Sequence, residues 1–143
     1  MNNLDSVLAE FRTFPNRRLG LIDKLYLALP ERRAFAILLS AATDASEQET
    51  VRCAAWKVWH NDEPEDEGEL EQLIAAALAT IRGNSSDLVR DYAICALTYH
   101  ADRADVEAVL LPLLHDRTAG RSVRSAAFQV LSRRGRERRG GWR

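Results

Sequence analysis

The sequence predicts an all-α domain of about eight helices, paired and stacked side by side as a solenoid, and three observations carry that expectation. Ala, Leu, Arg and Glu dominate its 143 residues, prolines and glycines are few, and β-branched runs are absent, a composition of good helix formers. A nine-residue word recurs: VRCAAWKVW at 51–59, VRDYAICAL at 89–97 and VRSAAFQVL at 123–131. Counted from each Val as step 0, apolar residues fall at steps 0, 3, 4, 7 and 8, the stripe of an amphipathic helix. A second stripe and a short polar turn precede each word. One such pair cannot bury both apolar faces alone, whereas stacked pairs close a continuous core.

The elements follow in order. Residues 1–30 form a terminal capping pair, with stripes Leu4, Val7, Leu8, Phe11 and Leu19, Ile22, Leu25, Tyr26, Leu29, punctuated by Pro15 and Pro30. This pair lacks the Val-Arg word. Three repeats occupy 31–60, 67–100 and 103–134. Their first helices carry Phe35, Leu38, Leu39, Ala42; then Leu70, Leu73, Ile74, Ala77, Leu78, Ile81; then Val106, Val109, Leu110, Leu113, Leu114. Ser46 with Glu49 has capping-box spacing, which starts the second helix of the first repeat near residue 46, and Asn84 with Asp87 has it in the next. A single solenoid domain therefore spans 1–134, and 135–143 reads as a basic flexible tail.

The arginine at step 1 falls between step 8 and step 5 around the helix. Step 5 is always large and apolar: Trp56, Ile94 and Phe128, a row expected in the core between repeats. Each arginine sits beside apolar groups and needs a partner. Carboxylates of the preceding turn are in reach, Asp44 for Arg52 and Asp116 for Arg124, each eight residues upstream, with Asn84 or Asp87 for Arg90. Arg–Asp staples are the expectation.

Paired helices, an Asp in the turn, Val-Arg opening the second helix, and Pro112 inside VLLPLLHD together resemble HEAT repeats. The resemblance covers 31–134 well and 1–30 loosely. The first two repeats lack the proline, and the second lacks the turn Asp at the equivalent offset. What the resemblance implies is a right-handed superhelix whose second helices line the concave face, and protein-binding work. Small bacterial solenoids of this kind resemble adaptors or immunity proteins that neutralise a toxin.

Chemistry-bearing patterns are scarce. His60, His100 and His115 have no metal-ligand spacing, and Cys53 and Cys95 read as thiols in a reducing cytoplasm. No phosphate loop, dinucleotide fingerprint or nucleophile elbow occurs. The N-terminus has neither the basic nor the apolar region of a secretory signal. The expectation is a non-catalytic protein without cofactor, metal or membrane span. Steps 2, 6 and 9 of the second helices point outward, and from them Lys57, His60, Asp91, Thr98 and Gln129 are the expected contacts to a protein partner.

Charge divides the chain. Residues 117–143 carry nine arginines against Glu137, a net of +8, while the first 116 carry eleven basic and 20 acidic side chains, a net of −9. The alternative function is therefore nucleic-acid binding through Arg133, Arg134, Arg136, Arg138 and Arg139, with Trp142 stacking on a base. A third reading, by resemblance to the HEAT-like enzymes that excise alkylated bases, is catalysis on DNA. The acidic run NDEPEDEGELE (61–71) reads as a solvated loop or a dock for a basic partner.

Overall fold

The computed structural model describes the backbone of residues 3–60 and 62–140, and the side chains of the same residues as far as 133. Among them every regular element is a helix: α1 (Asn3–Thr13), a 3-10 turn (Pro15–Arg17), α2 (Arg18–Ala28), α3 (Arg32–Thr43), α4 (Glu49–Lys57), α5 (Glu67–Arg82), α6 (Asp87–Cys95), α7 (Ala104–Leu113) and α8 (Arg121–Gly140). None of these helices is long and apolar enough to cross a membrane.

The helices pack as four successive pairs. Odd-numbered helices touch in sequence, α1 on α3, α3 on α5, α5 on α7, and even-numbered helices do likewise, α2 on α4, α4 on α6, α6 on α8. Each pair meets only the pairs beside it. The stripes of the three repeats lie in one continuous core running from Val7 to Leu131. Ala55, Ala93 and Ala127, the step-4 positions, are all fully buried, because only a methyl group fits where two rows of helices approach. The acidic run is not free: Tyr26 donates to Asp62, Glu63 pairs with His100, and Arg103 forks onto Glu71 at 2.6 and 3.0 Å. These contacts stitch the α4–α5 loop to α2 and to the α6–α7 turn.

Local signals were partly redirected. α4 begins at Glu49, three residues after the capping-box start, because the Ser46 amide and hydroxyl both bond Asp44 Oδ1, at 2.8 and 2.7 Å. α6 is capped by Ser86, whose hydroxyl accepts from Val89 N, and not by Asn84. α5 has the most complete start: Asp66 accepts from Glu69 N at 2.9 Å, with acidic residues in the first turn. At the other end α8 runs to Gly140, so 135–140 continues a helix where a flexible tail was expected. Arginine and glutamate are good helix formers and prolong it. Residues 141–143, Trp142 included, lie outside the described residues.

The arginines are stapled, but differently from the expectation. Arg52 Nε donates to Ala42 O at 3.0 Å, and Arg90 Nε donates to Ile81 O at 3.0 Å. Both acceptors lie in the last turn of the preceding helix, where carbonyls lack intrahelical donors and a cation meets the negative end of the helix dipole. Asp44 does not pair with Arg52, and Asp116 does not pair with Arg124. Each carboxylate closes its own turn instead, Asp44 on Ser46 and Asp116 on Thr118. Those bonds hold both carboxyls below the ordinary carboxylate range. Only Arg90 has its expected carboxylate nearby, Asp87 at 3.6 Å.

A fourth arginine follows the same rule. Arg18 Nε donates to Phe11 O at 2.8 Å, so the N-terminal pair carries the staple without the Val. The outer nitrogens reach forward into the next turn: Arg18 to Glu47 at 2.7 Å and Arg52 to Ser85 at 3.2 Å. The carboxylate of Asp87 lies against the backbone of Gly120, where even a methyl group would collide with it. Arg124 is the last of the series, and its buried Nε has no hydrogen-bond partner among the described residues. Beside it Phe128 is 62% exposed, because among the described residues no following pair packs over step 5 of α8. Trp56 and Ile94, by contrast, are fully buried.

Candidate functional site: the face of the even-numbered helices

The register set by the arginines identifies which side chains leave the core. With Arg18 taken as step 1 of α2, steps 2, 6 and 9 are Leu19, Asp23 and Tyr26. Leu19 is 51% and Tyr26 38% exposed, while Leu21, Ile22 and Leu25 are buried. Leu19 and Tyr26 therefore leave the stripe assigned to them from sequence and join the outer face. The signal that could have placed them was Arg18 itself, which needs the same helix-end carbonyl as its counterparts.

The face then has three parts. Where α2 meets α4, Leu19, Asp23 and Tyr26 with Lys57 and Val58 border an open groove of about 620 Å³. His60 is exposed just beyond the end of α4 and does not line this groove. The middle is formed by α4, α6 and α8 around Asp91. The far part carries Ser125, Gln129 and Ser132 on α8, all exposed.

Thr98 does not belong to this face. α6 ends at Cys95, so step 9 no longer follows the helical angle; Thr98 is 6% exposed, and its hydroxyl donates to Cys95 O. The structure thus brings Lys57, Asp91 and Gln129 to successive helices of one face and withdraws Thr98.

Asp91 is the unusual member. Its residue is half-buried, yet Oδ1 is shielded from solvent with no hydrogen-bond partner among the described residues. Burial raises its pKa, the Ser122 side chain bonds the carboxyl and pulls the other way, and the nearby Asp87 raises it further. Cys53 on α4 and Cys95 on α6 both feel its charge, and both thiols titrate above their usual range, chiefly through burial. They stay as S–H groups, which are weak donors and not the nucleophilic thiolate. Both cysteines are free. Leaving a buried acceptor unmade costs about 1–3 kcal/mol. No group of three or more His, Cys, Asp or Glu among the described residues is placed to hold a metal ion.

Of the C-terminal arginines, Arg133 is exposed and its guanidinium lies 5.5 Å from the centroid of the Tyr99 ring. Arg134, Arg136, Arg138 and Arg139 lie outside the residues whose side chains are described. No family model, no curated protein and no solved structure matches the chain.

Proposed function

We propose that the chain is a HEAT-like solenoid, a right-handed superhelix, that binds a protein partner without catalysis across the face of its even-numbered helices. The observation that carries this reading is the open groove of about 620 Å³ where α2 meets α4 on that face, beside the exposed Leu19 and Tyr26. An apolar side chain of a partner fills this groove, and polar groups around it meet the exposed Lys57 and Gln129. The pairwise packing of neighbouring helices and the forward-reaching arginines support the solenoid reading. Two free thiols support a reducing compartment such as the cytoplasm. Among bacterial proteins an adaptor or a toxin-neutralising immunity protein has this design.

Affinity capture with the full chain tests the reading. Asp91→Asn, Lys57→Glu and Gln129→Arg are each expected to weaken recovery of a captured protein at least tenfold, while deletion of 133–143 leaves it unchanged. If all three face variants retain the partner, the face is not the interface. Recovery of nucleic acid that disappears with the deletion and falls steeply with salt supports the arginine-based reading instead.

A further inference from the structure

A second concavity lies where the α2–α3 connection meets the acidic loop after α4, next to the groove of the even-helix face, with which it shares Tyr26 and Asp62. Its volume is about 390 Å³, within the range of roughly 300–1,000 Å³ seen for small-ligand pockets. The floor is apolar and aromatic: Pro30, Phe35, Trp59 and Pro64, with the rings of Phe35 and Trp59 set edge to face at 5.8 Å. Tyr26 and Leu27 form one wall, and Leu27 is 80% exposed at the mouth. The remaining lining is acidic. Asp62, Glu63, Glu65 and Glu69 contribute four carboxylates, and among the described residues no Lys, Arg or His lines the cavity.

Two of these carboxylates are already engaged, Asp62 by the Tyr26 hydroxyl and Glu63 by His100. Glu65 and Glu69 have no ion-pair partner among the described residues. Glu65 is exposed and Glu69 half-buried, so both carboxylates are open to an approaching cation. Leu27 and Tyr26, 80% and 38% exposed, offer the apolar contact, while the Phe35 and Trp59 rings beneath them are buried. A bare metal ion does not match, because its coordination needs converging oxygens and the floor here is hydrocarbon.

We propose that this cavity binds an organic cation, an ammonium or guanidinium group carried on a compact apolar body. The same chemistry is offered by a free amine and by a Lys or Arg side chain of another protein. The site is separate from Asp91 and does not depend on the protein-binding reading.

Binding is tested on the full chain by following the Trp59 indole resonance during titration with phenethylamine, its neutral analogue 2-phenylethanol, and a Gly/Ser pentapeptide with one central arginine. The expected result is saturable binding of phenethylamine or the peptide at least tenfold tighter than of the alcohol. Glu65→Gln with Glu69→Gln, both on the rim, should weaken it at least tenfold, and Asp91→Asn should not alter it. A peptide that binds as tightly as the amine assigns the source to a protein side chain, and binding of the amine alone assigns it to a small metabolite. Equal affinity for amine and alcohol, an unaffected Glu65→Gln/Glu69→Gln variant, or no saturation by either cation overturns the proposal. Should the double variant fail to fold, Leu27→Lys, at a fully accessible mouth position, is expected to compete with the ligand and weaken it comparably; unchanged affinity there overturns the proposal too.

Discussion

Asp91 shows how one under-bonded side chain ties folding stability to pH. Burial favours its neutral form, so its pKa in the folded chain exceeds the ordinary value of about 3.9. The folded state then holds the proton more tightly than the unfolded one, and this group's contribution to stability falls as pH rises from the ordinary value through the folded one. Asp91→Asn keeps the shape and removes the charge. Its Tm relative to the parent chain should therefore rise as pH climbs above about 4 and level off once the raised folded-state pKa is passed, with the two chains converging below pH 4. Melting curves across that range check it, and a constant gap would show that Asp91 titrates normally. Carboxylates on the other side of the balance, Asp44, Glu71, Asp105 and Asp116, are held down by their hydrogen-bond donors. Their contributions are complete above the ordinary carboxylate range and are lost as pH falls through the lowered values.

At the scale of single elements, helix boundaries were decided by competition among short polar side chains. Ser46 had the spacing of a capping residue, yet Asp44 two residues earlier captured both its amide and its hydroxyl, and α4 starts later without a side-chain cap. α5 had no such competitor, and Asp66 caps it. Asp66→Ala should therefore lower stability by about 0.5–2 kcal/mol, the usual cost of removing an N-cap. Chemical denaturation measures this, and Ser46→Ala supplies the contrast, since its hydroxyl caps no helix. α2 carries the same lesson for faces. Its apolar residues are dense enough to support several stripes, and only the arginine's need for Phe11 O selects the one that is buried.

Across the whole molecule the arginines act as couplings between neighbours. Arg18, Arg52 and Arg90 each bind the end of their own first helix, and the outer nitrogens of Arg18 and Arg52 extend to the following turn, so successive pairs are joined at their rims. Arg90→Leu leaves Ile81 O without its donor and should cost about 1.5–3 kcal/mol, the range for hydrogen bonds to charged groups. Arg52→Leu should cost less. Ala42 O also accepts from Trp56 Nε1 at 3.0 Å, so that carbonyl stays satisfied. Comparing the two variants by denaturation separates a carbonyl-capping role from simple packing, which would make the more buried Arg52 the costlier loss.

The three repeated words, their paired stripes and the number of helices were legible in the chain because helical periodicity is local: residues three or four apart share a face whatever lies beyond. The arginines were recognisable as staples for the same reason, since a guanidinium beside apolar neighbours must be satisfied. Their acceptors were not legible. A backbone carbonyl has no letter of its own, and a carboxylate eight residues upstream looked the better partner until the turn claimed it. Lys57, Asp91 and Gln129 could be placed on one face by counting steps; Thr98 could not, because the count fails once α6 ends. The groove beside Leu19 and the cavity between Pro30 and Glu69 arise where distant segments meet. Periodicity determined by itself what is helix and which stripe is buried in each repeat; packing decided which oxygens the arginines reach and where the surface is hollow, because both depend on distances between residues that sequence order leaves far apart.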